Sequence, residues 1–162
     1  MKIKIFTTGG TFDKIYFDAK SEFQFADTII GDLLEEANIS FDYDIVTLLE
    51  KDSLYINEAD RKMIHEATNN AKENRILITH GTDTMVETAQ ALLDIRDKTI
   101  VLFGAMQPAR MRHSDATFNL GVACAAVQLL PVGVHLAMNG RIFDPCKVIK
   151  NRAQNRFERT DS

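Results

Sequence analysis

Lys-Ile-Lys-Ile-Phe-Thr-Thr-Gly-Gly-Thr, residues 2–11, is a short apolar run that gives way at once to hydroxyls and glycines. The run Lys2–Phe6 reads as a buried parallel strand, and Thr7–Thr11 as the polar turn that opens at its carboxyl end. The same grammar returns downstream. Ile76–Ile78 is apolar, and Thr79-His80-Gly81-Thr82-Asp83-Thr84 follows it. In an open α/β sheet the carboxyl edge of the strands is where ligands bind. Two hydroxyl-rich turns aimed at one crevice point to a site for a small polar molecule, and the spacing alone does not name that molecule.

Outward from these turns the chain alternates strand and helix patterns. Strands are expected at Lys2–Thr8, Tyr43–Leu49, Arg75–Thr79, Thr99–Phe103 and Val132–Met138, all rich in Ile, Val, Leu and Phe. Asp27 is placed to cap a helix through Ala37 that buries Ile29, Ile30, Leu33 and Leu34. Asn57 is placed to cap another through Asn74 that buries Ala59, Met63, Ile64 and Ala67. Asp83–Ile95 puts Met85, Val86, Ala89, Leu92 and Leu93 on one face. Ser114–Leu130 is apolar round most of its circumference, which fits central packing, a subunit interface, or both. Strand-helix alternation implies right-handed crossovers and a three-layer α/β/α sandwich with a mostly parallel sheet, Rossmann-like or flavodoxin-like.

Phe12–Ala26 mixes Lys, Asp, Ser and Gln with Tyr16, Phe17, Phe23 and Phe25 and has no period. It reads either as a hairpin or irregular connection, or as a lid over the site. Gly140–Lys150 reads as a turn or hairpin. Residues 151–162, with Arg152, Arg156 and Arg159, read as a polar surface tail after a domain spanning 1–150.

Composition narrows the function classes. A chain of 162 residues fits one domain and buries roughly 70% of its unfolded surface. The net charge of −4 argues against a general nucleic-acid binder. There is no apolar stretch of membrane-spanning length, and Thr7–Thr11 interrupts any signal-peptide core, so the expected compartment is the cytoplasm. Cys124 and Cys146 lack C-x-x-C spacing and read as free thiols. His65, His80, His113 and His135 show no metal-ligand spacing.

Several residues carry candidate chemistry. Thr11 stands where glycines allow close approach of a ligand, and a threonine hydroxyl becomes a nucleophile once a neighbour takes its proton. Lys and Tyr are possible bases once their pKa values fall. Thr-Gly-Gly-Thr alone fits a tight turn or an anion-binding loop equally well, although no G-x-x-x-x-G-K-[ST] pattern is present. Asp83 suits a simple helix N-cap, or a buried carboxylate holding a substrate ammonium group. Asp52-Ser53 suits a helix-entry turn at the same edge, and Lys150 a solvated surface lysine.

Taken together, Thr8-Gly9-Gly10-Thr11, Asp52-Ser53, His80-Gly81-Thr82-Asp83-Thr84-Met85 and Gly104-Ala105-Met106-Gln107-Pro108 resemble the bacterial-type L-asparaginases. So do Ser114-Asp115 with Asn119-Leu120, and Met138-Asn139 leading to Lys150, in matching order and spacing. The resemblance implies an amidohydrolase in which Thr11 is the nucleophile and Thr82, Asp83 and Lys150 form a second catalytic cluster. It implies that Ser53 and Asp83 hold the α-carboxylate and α-amino groups of the substrate. Gly10, Asp52, Gly81, Thr82, Ala105 and Met106 complete the implied substrate-binding set, with backbone N–H groups for the oxyanion. Asparagine would yield aspartate and ammonia through an acyl-enzyme, with no metal or organic cofactor.

Two departures stand out. The family's catalytic tyrosine lies on the loop after the first glycines. Tyr16 is the tyrosine that this loop offers, while Phe23 and Phe25 lie nearer the usual distance. Family members also continue into a smaller C-terminal domain, which in a neighbouring subunit closes the site and contacts the substrate amine. This chain resembles the N-terminal domain alone. The expectation is a homodimer or larger homo-oligomer acting on asparagine. The alternatives are a non-catalytic amino-acid-binding domain and a relative acting on another amide such as glutamine.

Overall fold

The computed structural model of the protein describes residues 1–160. Five parallel strands make the core of the sheet: β1 (Lys2–Gly9), β4 (Asp42–Lys51), β5 (Arg75–Thr79), β6 (Thr99–Phe103) and β7 (Gly133–Met138). Their spatial order is β4-β1-β5-β6-β7, and β8 (Arg141–Phe143) is added antiparallel to β7. Asn139 and Gly140 both adopt positive φ in the intervening turn, as a tight hairpin requires. In sequence order the parallel strands run 2-1-3-4-5, the flavodoxin-like order, whose switch point falls between β1 and β5. The two glycine-containing turns therefore leave the sheet side by side.

Strand alternation divides the core into two layers. Ile3, Ile5, Leu77, Val101 and Phe103 face α1 (Ile30–Glu36) and α4 (Ala116–Leu129). Phe6, Ile76, Ile78, Ile100, Leu102 and Leu136 face α2 (Glu58–Asn70) and α3 (Met85–Gln90). The expected three layers are present.

The helices depart from the sequence reading in instructive ways. At the start of α1 the capping role falls to Asp13 rather than Asp27. Its Oδ1 accepts the Ile29 N–H at 3.2 Å and the Thr28 hydroxyl at 3.0 Å. For α2, Asn57 is the expected cap and Asp60 returns the bond, but the helix ends at Asn70, where Ala71 turns extended. Its inward face is Asp60, Ile64 and Thr68, with Ala67 half-buried, while Ala59 and Met63 are exposed. The third helix is regular only to Gln90, although Leu92 and Ile95 are still buried beyond it. One side of α4 is packed through Leu120, Ala123, Cys124 and Val127. Phe118 and Leu129 on the other side are exposed.

Residues 14–25 form an antiparallel hairpin of β2 (Lys14–Phe17) and β3 (Glu22–Phe25). Its base is clamped. Phe12 is fully buried edge-on to Phe103, and Arg110 donates to the Asp27 carbonyl at 2.6 Å. Where the sequence suggested a surface tail from residue 151, a third hairpin appears. β9 (Val148–Asn151) pairs with β10 (Arg156–Arg159), and buried Phe157 packs against Phe143. Residues 161 and 162 of that expected tail lie outside the described residues.

The turn after β5 is braced from below by His80, which is fully buried. Arg61 Nε donates to Thr88 Oγ1 at 3.2 Å, and the Thr88 hydroxyl donates to His80 Nε2 at 2.7 Å. His80 Nδ1 is left to donate to the Gly81 carbonyl at 2.7 Å. Burial pulls the imidazole pKa down to about 4, against a smaller upward pull from the Gly81 carbonyl. The folded pKa lies below the unfolded one, so stability is complete above about pH 6.5 and falls as pH drops toward 4. Denaturant titrations should find a loss of about 2 kcal/mol between pH 7 and pH 5 attributable to this group. His80→Gln should flatten that part of the slope; an unchanged slope would contradict the assignment.

Candidate active site

The loops after β1, β4 and β5 meet backbone to backbone. Gly10 has φ of 78°, and a Cβ built on it would lie 2.6 Å from the Gly81 nitrogen. A Cβ on Gly81 would lie 2.6 Å from the Ser53 side chain. No larger residue fits either contact without displacing main chain. The Gly10 N–H donates to the Lys51 carbonyl at 2.9 Å, and Thr84 Oγ1 donates to the Ser53 carbonyl at 2.7 Å. Three loops distant in sequence are thereby held as one surface.

Thr11 begins the 3-10 turn Thr11–Asp13 and is partly buried. Asp13, just behind it, is buried, and this burial raises its carboxyl above the usual range despite the opposing bonds from Ile29 and Thr28. Tyr16 lies on β2, half exposed, with its ring 5.4 Å from that of Phe23. Among the described residues no hydrogen bond joins it to Thr11, Thr82 or Lys150.

Lys150 reaches the turn after β5 from β9. Its Nζ donates to Thr82 Oγ1 at 2.7 Å and to Asp83 Oδ1 at 2.9 Å. The lysine and aspartate side chains are mostly buried. Asp83 does not cap α3: Thr84 holds the N-cap position, and the Asp83 carboxylate turns to the two cations Lys150 and Arg152. A hydroxyl, an ammonium and a carboxylate in line form a proton-handling cluster of the kind that activates a weak nucleophile.

Asp52 accepts the Leu54 N–H at 3.0 Å and pairs with Lys14 at 3.0 Å. Partial burial works against its ionisation, but the Leu54 amide and the charges of Lys14 and Lys150 hold it below the usual carboxylate range. Ser53 beside it is 1% exposed, and its Oγ has no partner among the described residues. Ala105 is buried and Met106 half-buried on the loop after β6. The Met106 N–H is engaged by the Asp115 carboxylate at 3.0 Å. Asn119 Nδ2 ties that carboxylate to the Gly104 carbonyl at 2.9 Å.

The structure thus brings Gly10, Gly81, Ser53, Thr82, Asp83 and Lys150 together, with Thr11 next in chain to Gly10. Sequence reasoning missed two cations, Lys14 and Arg152. Arg152 opens the turn after β9, two residues beyond Lys150, where no strand periodicity marks it. Lys14 was hidden in the segment read only as a loop. A hollow of about 570 Å³ lies at the opposite end of the strands, lined by Met1, Lys2, Arg75 and Thr99 among others, and takes no part in this cluster. Among the described residues no group of three or more His, Cys, Asp or Glu is placed to hold a metal ion.

With that geometry in view, the family model described as asparaginase, N-terminal, matches residues 2–159. The L-asparaginase of Thermococcus kodakarensis is 32% identical over 160 residues, covering 93% of this chain and 48% of that protein. L-asparaginase 2 of Escherichia coli is 40% identical over 84 residues, covering 49% of this chain and 24% of that protein. The solved structure of the thermostable L-asparaginase from Thermococcus kodakarensis superimposes with a TM-score of 0.85 at 28% identity, over 98% of this chain and 51% of that one. The chain spans at most about half the length of these relatives. A match over nearly every residue, in a fold that gathers the motif residues at one sheet edge, places this chain in the asparaginase family, where it corresponds to the N-terminal domain.

Proposed function

We propose that this chain hydrolyses the side-chain amide of L-asparagine to L-aspartate and ammonia through an acyl-enzyme on Thr11. The observation that carries the reading is Lys150 Nζ held between Thr82 Oγ1 and Asp83 Oδ1 on a turn whose Gly81 touches Gly10. A non-catalytic binding domain has no need of a buried lysine hydrogen-bonded to a threonine hydroxyl. Thr11 Oγ attacks the amide carbon and forms an ester, and its proton leaves with the amine as ammonia. Water then cleaves the ester, and the hydroxyl is restored. Thr82, Lys150 and Asp83 carry the proton. The Thr11 N–H, with backbone N–H groups of the Gly81–Thr82 turn, receives the oxyanion, since the Gly10 N–H is taken by the Lys51 carbonyl. Tyr16 is the hairpin tyrosine of this scheme, and its role requires β2 and β3 to move over the site. Ser53, Asp52, Ala105 and Met106 belong to the substrate-binding surface, and no cofactor enters the reaction.

The setting follows from the same reading. Cys124 is buried, with its thiol pushed up to about 11 by burial, and Cys146 is exposed; both are free thiols. Free thiols suit the reducing cytoplasm. Among the described residues no helix is long and apolar enough to cross a membrane. The active form is a homodimer or larger homo-oligomer, with a second copy covering the outer stripe of α4. Phe118, Val122, Ala125 and Leu129 recur there at helical spacing, and Phe118 and Leu129 are 62% and 83% exposed.

Purified protein should release ammonia from millimolar L-asparagine, and more slowly from L-glutamine, whose extra methylene costs about 1–3 kcal/mol in a fitted pocket. No release from either overturns the enzymatic reading; calorimetric binding of aspartate without turnover would then favour a binding domain. Thr11→Ala and Lys150→Met should each lower kcat by about 10²-fold or more with circular dichroism unchanged. Near-full turnover by Thr11→Ala would move the nucleophile to Thr82. Sedimentation at micromolar concentration should show a dimer or larger species that Phe118→Asp shifts toward monomer. A monomer with full activity would remove the oligomer from the proposal.

A further inference from the structure

The sheet ladder gives out at the end of β4. Thr7 pairs with Thr47 and Gly9 with Lys51, so β4 takes four steps where β1 takes two. A bulge of this kind releases a strand end from regular pairing, and β4 is an edge strand with β1 as its one neighbour in the sheet. The Lys51 carbonyl accepts the Gly10 N–H at 2.9 Å, and that main-chain bond fixes a point without fixing the path that follows. The path matters, because Ser53, two residues on, lies against Gly81 and accepts from Thr84. The first turn of α2 supplies the missing restraint. Both Asp60 oxygens accept from Lys51 Nζ, at 3.0 and 2.8 Å. Oδ2 also accepts the Asn57 N–H at 3.1 Å. One carboxylate thus grips the residue before the span 52–56 and the residue after it. Its side chain is 9% exposed, so loss of the lysine would leave a charge with little water to replace the bonds. The Lys51 bonds outweigh burial and hold the Asp60 carboxyl below the usual carboxylate range, so the pair is ionised at neutral pH.

Resting on the amidohydrolase reading above, we propose that Lys51 and Asp60 are positioning residues: their ion pair closes the loop 52–56 to one path and so fixes Ser53 for the non-reacting end of the substrate. Both act through the loop rather than on the substrate. Without the Lys51 ammonium, the Asp60 carboxylate keeps the Asn57 N–H alone and turns toward water. The Gly10 N–H still holds the Lys51 carbonyl, so Thr11 keeps its place and the slack falls on Ser53. Thr82, Asp83 and Lys150 belong to the turn after β5 and to β9, and their mutual bonds are untouched. The loss therefore falls on binding that substrate and transition state share, and not on the chemical step.

Lys51→Met removes the ammonium and leaves the Asn57–Asp60 cap of α2 in place. It should raise KM for L-asparagine and the calorimetric Kd for L-aspartate by about tenfold, with kcat within about twofold. Lys51→Arg should restore most of the affinity. Asp60→Asn, which keeps an acceptor for the Asn57 N–H and loses the charge, should match Lys51→Met. The double variant should add little to either, as expected for one shared interaction. Hydrogen exchange reads the loop in the free protein without any ligand. The amides of Leu54, Tyr55 and Ile56 should exchange faster in Lys51→Met, while those of β5 and β6 stay unchanged. A lowered melting temperature with KM, Kd and loop exchange all unchanged assigns the pair to stability alone and overturns the inference. A fall in kcat at constant KM overturns it as well. Faster loop exchange and weaker aspartate binding in a protein that hydrolyses no amide support the positioning role and overturn the amidohydrolase reading. Asparagine hydrolysis with the same KM in Lys51→Met does the reverse, so the two failures are distinguishable.

Discussion

The contact between Gly10 and Gly81 is the constraint on which the rest of the site depends. The sheet order leaves a gap between the ends of β1 and β5, and that gap closes only because neither turn carries a side chain where they touch. Thr11 and Thr82 follow these two glycines directly, so the backbone contact sets how far apart their hydroxyls stand. A side chain at Gly10 would press on the main chain of Gly81, and one at Gly81 would press on the Cβ and hydroxyl of buried Ser53. Proximity of two turns distant in sequence, rather than any single strong bond, is what this arrangement supplies.

Around that contact the protein spends buried polar groups sparingly and in connected sets. His80, Thr88 and Arg61 brace the turn from one side, and Asp115 with Asn119 fixes the loop after β6 from another. Within these two sets each donor meets an acceptor, while Ser53 Oγ and Thr79 Oγ1 beside them have no partner among the described residues. The hairpin of β2 and β3 is the exception. Its base is clamped by Asp13, Phe12 and Arg110, while Tyr16, Phe17 and Phe23 stay exposed at its outer part.

The sheet was legible in the sequence because parallel strands buried on both faces leave continuous apolar runs. Arg75–Thr79 and Thr99–Phe103 end at the very residues expected. The motif turns were legible for the same reason: they interrupt those runs. Helix caps were less so. Asn57 and Asp60 are three residues apart and locally readable, whereas Asp13 caps α1 from sixteen residues away in a different element. The strand that pairs with the Lys150 strand was read as part of a surface tail from residue 151, because Arg152, Arg156 and Arg159 mask its buried anchor, Phe157. Lys14 and Arg152 escaped notice because surface lysines and arginines look alike until a fold shows which ones meet a carboxylate.

The hairpin of β9 and β10 has a consequence for the order in which this protein acquires its chemistry. Lys150 and Arg152 come from elements that follow all five parallel strands, and Lys150 meets Thr82 across 68 residues of chain. During synthesis the sheet can pair and bury its core while Lys150 is still absent. Forming the sheet and completing the cluster around Lys150 are therefore separate events. The second waits for Phe157 to dock beside Phe143 and swing the lysine over a surface already built. A nascent chain of this kind holds its core before Asp83 has met either of its two cations, Lys150 and Arg152.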